Sequence, residues 1–150
     1  MSELRVATPG DVAAVCEFGE AHIRPHYAPL IGAAAADEQV RGWWSETAID
    51  AAVAGGLGDH VVYKLYVDPR QRGHGLGPRL LGALVGQLPD NADRLCIEHF
   101  AANERAGAFY EREGFTVDRV EASPTGDPAL GIVWRSRRVT PRSGARDRLR

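Results

Sequence analysis

The chain of 150 residues has a single lysine and only two cysteines, and each scarcity excludes a class of protein. Because no Gly-Lys pair occurs, the chain cannot carry the GxxxxGK[ST] loop of the P-loop nucleotide-binding proteins. Cys16 and Cys96 form no CxxC pair and lie in apolar stretches, so we predict reduced core thiols and a cytoplasmic protein. With neither a signal-like amino terminus nor an apolar run of membrane-spanning length, we expect no secretion and no membrane insertion.

Arginine supplies nearly all of the positive charge, and it is unevenly placed. Seven arginines and one acidic residue, Asp147, lie between Arg135 and Arg150, which leaves the preceding part of the chain acidic. A basic tail can contact nucleic acid, but a solvated terminus is the commoner role of such a segment. We therefore predict one domain over 1–139 and a basic, disordered tail over 140–150, and we do not expect a nucleic-acid partner.

The periodicity of apolar residues predicts both helices and strands. We expect strands over 4–7, 60–67, 94–99, 115–121 and 130–139, and helices over 12–21, 34–44, 46–53, 75–87 and 103–113. Residues 22–30 contain Pro25 and Pro29, so a kinked or looped connection is expected there. The alternation of strands and helices across 60–121 predicts parallel pairing within a mixed sheet, and hence an α/β (α+β) fold.

A glycine-rich loop lies between the strand that ends near Val67 and the helix that follows. Its sequence, RGHGLG from Arg72 to Gly77, has glycine at every second position and therefore does not fit the GxGxxG dinucleotide fingerprint. Glycines let the backbone approach a ligand and adopt positive φ, the helix start adds a positive dipole end, and arginines add forked donors. We interpret the loop as an anion site suited to a pyrophosphate; a tight turn that binds nothing would have the same pattern.

A second motif, NERAGAFYEREGF at 103–115, follows the predicted strand RLCIEH and ends with Gly114, a good helix-closing residue. Together with LYVDPRQRGHGLG at 65–77, it resembles the GNAT superfamily of acyl-CoA-dependent N-acyltransferases, over roughly residues 4–139. The resemblance implies a GNAT-like mixed central sheet flanked by helices. It also implies transfer of an acetyl or other short acyl group from acetyl-CoA to a primary amine, by direct attack and without a metal. A catalytically inactive CoA-binding or interaction module of the same fold is the alternative.

The resemblance further implies roles for individual residues. Tyr110 matches the tyrosine that protonates the leaving thiolate. For the general base, Glu98 is the first choice, with His99, His60 and Asp59 as alternatives; Glu98 and His99 are adjacent in a strand and must face opposite ways. The residues that would bind acetyl-CoA are Leu65, Tyr66, Val67, Arg72, Gly73, His74, Gly75, Leu76, Gly77 and Asn103.

Two features depart from the family pattern. The interval 51–59 is too short for the hairpin of the second and third strands, so we predict that this hairpin is shortened or missing, and the exposed strand edge favours a homodimer. Pro78 removes an amide just after the glycine loop.

His22 and His26 have the i, i+4 spacing of a metal-binding pair, but Pro25 between them argues against a metal.

The acceptor that the resemblance implies is a small-molecule or peptide amine, and the sequence does not specify which. Tyr27, Trp43 and Trp44 are aromatic residues near the two histidines. They either line the acceptor site or pack as the core of the helices, and the sequence leaves both interpretations open.

Overall fold

The computed structural model describes residues 3–55, 61–63 and 65–139. The chain divides into two compact units, one over Met1–Gly56 and one over Leu57–Arg150. Within the described ranges, no helix combines the length and the apolar character needed to cross a membrane. The basic tail, like the base candidates Asp59 and His60, lies outside the described residues, and the single domain over 1–139 stays a prediction.

The first unit is built from helices. These are α1 (Val12–Phe18), a π-helical segment (Gly19–Ile23), α2 (Arg24–Ile31), α3 (Ala33–Trp43) and α4 (Glu46–Gly55). Helix α1 packs against α4, and α2 packs against α3. The buried apolar residues of this unit are Val12, Ile23, Tyr27, Ile31, Ala36, Val40, Trp44 and Ile49.

Two predictions in this unit are wrong. Residues 4–7 form no strand, and Val6 is 67% exposed, because β-forming side chains make a strand only where a neighbouring strand pairs with them. Residues 22–30 are helical rather than looped. Pro25 lies just after the π-helical segment Gly19–Ile23, and the helical run continues through Pro29 and ends at Ile31. Such π-helical segments and prolines are sites at which helices bend without ending.

The second unit contains a four-stranded mixed sheet. Its strands are β1 (Val61–Val62), β2 (Arg94–Phe100), β3 (Thr116–Glu121) and β4 (Ile132–Arg138), in the spatial order β1-β2-β4-β3. Strand β1 runs parallel to β2, whereas β4 is antiparallel to both β2 and β3. The mixed α/β architecture predicted from the element order is therefore confirmed.

Helices α5 (Leu76–Gln87) and α6 (Glu104–Arg112) cover one face of this sheet. The face is apolar because alternate residues of β2, Leu95 and Ile97, are fully buried. The core cluster of this unit contains Val62, Leu81, Leu88, Ala92, Leu95, Ile97, Tyr110, Phe115 and Val139. The core therefore connects both helices to the central strands.

The strand predicted over 60–67 is too long. Among the described residues of this stretch, Val61 and Val62 alone pair with β2, opposite Cys96 and Ile97, and residues 65–67 belong to no strand. The hairpin of the second and third strands, which we predicted to be shortened or missing, has no counterpart in the described residues before β1, since α4 continues to Gly55 and the described segment 3–55 contains no strand.

Candidate functional site

The glycine loop follows β1 along the chain. The described pairs of β1 with β2 are Val61–Cys96 and Val62–Ile97, and residues 65–67, which lead to Asp68, carry no strand assignment. The carboxylate of Asp68 accepts from the backbone N–H of Arg70 at 2.9 Å and starts a short 3-10 turn. The loop that follows is thus held by its own turn rather than by the sheet.

Two glycines of the loop adopt the left-handed backbone conformation. Gly73 has φ of 81° and Gly75 has φ of 74°, and a Cβ built on either would meet nothing within 4 Å. The chain reversal therefore needs glycine for its backbone angles and not for lack of room. The space over this stretch of backbone is available to a ligand.

Helix α5 starts directly after Gly75 without a side-chain cap. Its first intrahelical contact runs from the N–H of Arg79 to the carbonyl of Gly75, at 3.3 Å. Among the described residues, no acceptor is found for the backbone N–H groups of Gly75, Leu76 and Gly77. Unsatisfied amides at a helix start, together with the helix dipole, attract an anion.

The polar side chains of the loop are tied to nearby groups. Arg72 donates its Nε–H to the carbonyl of Val67 at 3.3 Å, and the Nδ1 atom of His74 lies 3.3 Å from the carbonyl of Gln71. Arg70 forms an ion pair with Asp68 at 2.9 Å, and the hydrogen bond with this carboxylate raises the pKa of Arg70. The backbone therefore presents the loop's unpaired donors, and Arg72 adds a cation to it.

Glycine is needed at position 77 because of packing, and not because of its backbone angles as at Gly73 and Gly75. A Cβ at this position would lie 3.0 Å from Cζ of Phe109 in α6, which is closer than ordinary van der Waals contact. The first turn of α5 therefore touches α6 directly. This contact connects the glycine loop with the second sequence motif.

Asn103, which is also predicted to contact the cofactor, immediately precedes helix α6. The Oδ1 atom of Asn103 accepts from the backbone N–H of Ala106 at 3.3 Å, and the residue is only 6% exposed. Asn103 is therefore the N-cap of α6. Its predicted contact with pantetheine would have to use the rest of its amide group.

Tyr110 is buried among rings. It is 5% exposed, and its ring centroid lies 5.3 Å from that of Phe109 and 5.6 Å from that of Phe115, both edge-on. The ring of His99 lies parallel to it, with 20° between the planes and 6.1 Å between centroids. Rings on three sides restrict the orientation of the Tyr110 side chain.

His99 is held as a neutral imidazole by two hydrogen bonds. Its Nδ1 atom lies 2.9 Å from the carbonyl of Phe100, and its Nε2 atom lies 3.1 Å from Nε of Arg135. A carbonyl only accepts and a guanidinium only donates, so Nδ1 carries the proton and Nε2 accepts. Burial lowers the pKa of His99, and the charge of Arg135 lowers it further, against the opposing effect of the Phe100 carbonyl.

Glu98 faces the opposite side of the sheet, as the alternation along β2 predicts. It pairs across the ladder with Trp134, whereas His99 pairs with Val133. Tyr110 packs on the side of His99. The two residues predicted to be catalytic, Glu98 and Tyr110, therefore lie on opposite faces of the sheet.

The aromatic residues predicted for the acceptor side divide into two groups. Tyr27 and Trp44 are buried in the first unit, as the core-packing alternative predicts, whereas Trp43 is 56% exposed. His22 packs against Phe18 with 4.8 Å between ring centroids. In the part of the chain that the structure describes, no group of three or more residues could hold a metal ion.

Sequence comparison assigns the family. The model of the acetyltransferase (GNAT) domain matches residues 30–117, more than half of the chain. The chain belongs to the GNAT acetyltransferase family. A search of curated proteins finds no match.

Solved structures have the same fold as this GNAT acetyltransferase. The PaiA N-acetyltransferase of Thermoplasma acidophilum, solved in complex with coenzyme A, has a TM-score of 0.74 at 14% identity, over 93% of this chain and 100% of that one. A GCN5-related N-acetyltransferase of Rhodopseudomonas palustris has a TM-score of 0.75 at 18% identity, over 91% and 95%. The match to nourseothricin acetyltransferase is 27% identical, with a TM-score of 0.47, and spans 52% of this chain and 48% of that one, about half the length of each.

The sequence indicated no role in the site for three further residues. They are Phe109, which contacts Gly77, and Gly107 and Arg135, which surround His99. A Cβ on Gly107 would lie 3.2 Å from Nη2 of Arg135 and 3.3 Å from Cε1 of His99. A glycine inside a helix is a usable signal, because it costs about 1 kcal/mol relative to alanine and indicates a close approach. Arg135 gives no such local signal.

Proposed function

We propose that this GNAT acetyltransferase moves an acetyl group from acetyl-CoA to the primary amine of a small molecule or peptide, by direct attack on the thioester. The observation that supports this best is the glycine loop over 72–77. Two left-handed glycines with open space above them lead into a helix whose first amides have no cap. A diphosphate is the ligand that such a backbone arrangement favours.

The loop residues fit the diphosphate of acetyl-CoA. The amides of Gly75, Leu76 and Gly77 would donate to the phosphate oxygens, and Arg72 would contribute charge. Side chains at 73 and 75 would require a strained backbone, which agrees with glycine at both positions. Pro78 supplies no amide, so the site would rely on the residues before it.

The stretch 65–67 would bind the pantetheine arm through its main chain. These residues follow β1 in the chain and belong to no strand of the described sheet. Asn103 would add a side-chain contact through the part of its amide that does not cap α6. This arrangement would direct the thioester toward the gap between the two strands.

Tyr110 would act as the general acid and Glu98 as the general base. A tyrosine hydroxyl is protonated at neutral pH and can donate a proton to the departing thiolate. An ammonium group has no lone pair, so a base must remove its proton before attack, directly or through water, and a carboxylate can serve. Backbone amides near the thioester would stabilise the developing oxyanion.

Thiol release from acetyl-CoA tests the proposal. The purified full chain is mixed with acetyl-CoA and a panel of amino acids, polyamines and short peptides, and the acetylated product is verified by mass spectrometry. Amine-dependent release of CoA supports the enzyme. CoA binding without release to any amine supports the inactive module instead, an alternative that the lack of a strand in residues 3–55 favours.

A further inference from the structure

Three side chains from α6, β2 and β4 form a cluster between this helix and the sheet. The proposed reaction uses only one of them. The cluster consists of His99 on β2, Arg135 on β4 and Tyr110 on α6. It is tightly closed, since the backbone of Gly107 covers the contact between the histidine and the arginine with no room for a side chain. Such a buried polar arrangement needs an explanation.

We propose that His99 is a positioning residue, held in place by Arg135, that fixes the ring of Tyr110. This inference rests on the proposed role of Tyr110 as the general acid. The two rings are nearly parallel, with 20° between planes and 6.1 Å between centroids, whereas Phe109 and Phe115 contact the tyrosine edge-on. The imidazole therefore limits the positions and rotations that the Tyr110 ring can adopt.

The imidazole cannot rotate without losing both of its hydrogen bonds. Nδ1–H donates to the carbonyl of Phe100 and Nε2 accepts from Arg135, so each ring nitrogen has a partner of the required type. The same pairing leaves no lone pair for proton abstraction, so His99 does not serve as the general base. Its contribution to the reaction is the orientation of Tyr110.

The surroundings keep His99 in this role over the physiological pH range. The charged group that faces it from β4 is Arg135, the titratable group from α6 is Tyr110, and the facing residue across the ladder, Val133, is apolar. A proton on Nε2 would meet a guanidinium 3.1 Å away. The neutral form is thereby favoured.

The test compares variants that keep or remove an aromatic ring at position 99, all made in the same Arg135 variant. Removing His99 alone would take away the acceptor that His99 provides for the half-buried guanidinium of Arg135, so Arg135→Met is the reference. In this background His99→Phe keeps an aromatic wall and His99→Leu removes it. Thermal unfolding with and without CoA verifies that each variant is folded.

Ring-flip rates of Tyr110, measured by NMR with labelled tyrosine, provide a readout that is independent of turnover. Tyr110 is one of four tyrosines, and Tyr110→Phe assigns its signals. We expect His99→Leu to accelerate flipping about tenfold over the reference and His99→Phe to restore it, from the usual strength of an aromatic pair. An unchanged flip rate in His99→Leu would overturn the inference even if no active amine were found.

The second readout is the steady-state kinetics of the same variants. We expect His99→Leu to lower kcat about tenfold while KM for acetyl-CoA stays within about twofold, and His99→Phe to rescue kcat. In a Tyr110→Phe background the loss should disappear, because His99 acts through the hydroxyl. A loss of the same size in both backgrounds contradicts the positioning role and leaves the acetyl transfer intact. If Tyr110→Phe alone does not reduce kcat, the acid assignment fails, and the positioning role fails with it.

Discussion

The ring of Phe109 lies directly against the backbone of Gly77, so that a Cβ at residue 77 would be 3.0 Å from Cζ of the phenylalanine. This contact joins the start of α5 to α6, and with it the two sequence motifs. The glycines of the loop therefore have two different purposes. Gly73 and Gly75 permit the backbone angles, and Gly77 permits the packing of one helix against another.

Gly77→Ala should destabilise the protein by overpacking, by about 1–3 kcal/mol in urea unfolding. The double variant Gly77→Ala with Phe109→Leu should recover part of the loss, since the smaller side chain makes room. Gly82→Ala is the matched control, because it lies in the same helix with nothing within 4 Å of its Cβ, and alanine there should stabilise by up to about 1 kcal/mol. Equal effects at 77 and 82 would contradict the packing account.

Gly75→Ala should cost about 1 kcal/mol of stability from the left-handed backbone angle alone, since nothing lies near its Cβ. If the loop binds the diphosphate, the same change should also weaken CoA binding in calorimetry, because the backbone amides shift. Gly42→Ala in α3 is the control and should leave CoA affinity unaltered. Wild-type affinity in Gly75→Ala would argue against the loop as the diphosphate site.

Tyr110→Phe should lower kcat by at least about 100-fold, the usual contribution of a general acid. The dissociation constant for CoA should not change, since the ring and its packing are retained. Tyr63→Phe, at a side chain that is 49% exposed, is the control. The acid role is rejected if Tyr110→Phe turns over at the wild-type rate.

Asn103 can be separated into a cap and a ligand contact. Asn103→Ala should cost about 1 kcal/mol through loss of the hydrogen bond to Ala106. Asn103→Asp keeps an acceptor at the start of α6, where negative charge is favourable, and should retain stability. Weaker CoA binding in the aspartate variant, at full stability, would identify the amide as a ligand contact, whereas unchanged binding would leave Asn103 a cap only.

Burial beside Arg135 lowers the pKa of His99 in the folded state below its ordinary value of 6.5. The unfolded chain therefore binds the proton more readily, so stability is complete above about pH 6.5 and declines as pH falls toward the folded-state pKa. His99→Gln removes the titrating group and keeps an oxygen that can accept from Arg135, so its stability should fall less steeply between about pH 7 and pH 5. His74→Gln, at an exposed loop position, is the control. Parallel pH profiles for wild type and His99→Gln would contradict this assignment.

The sequence predicted the elements whose signals are local. Helices α5 and α6 and strands β2 and β4 begin and end within about two residues of their expected limits, because periodicity and glycine caps define them. The strand over 4–7 and the full length of 60–67 were wrong, since apolar side chains alone do not provide a pairing strand. The prediction that Pro25 and Pro29 interrupt the helix was wrong, because the helical run passes from the π-helical segment through α2.

The parts of the candidate site that lie within one contiguous motif could be predicted from the sequence. The contacts between segments that are distant in the chain could not. The residues of the loop and of α6 could be named because each motif is contiguous. The contact between His99 and Arg135 joins β2 and β4, 36 positions apart, and depends on strand register. Only the tertiary fold places His99 beside Tyr110 with both of its ring nitrogens in hydrogen bonds.

The most direct test of the proposed function is calorimetric titration of the full chain with CoA and, separately, with pantetheine. CoA should bind and raise the melting temperature, adding about 2.7 kcal/mol of stability at a concentration 100 times Kd. Pantetheine lacks the diphosphate and should bind far more weakly, and Gly75→Ala should remove most of the difference between the two. Absence of heat and of stabilisation with saturating CoA, or equal binding of CoA and pantetheine, would contradict the assignment of the glycine loop as a diphosphate site.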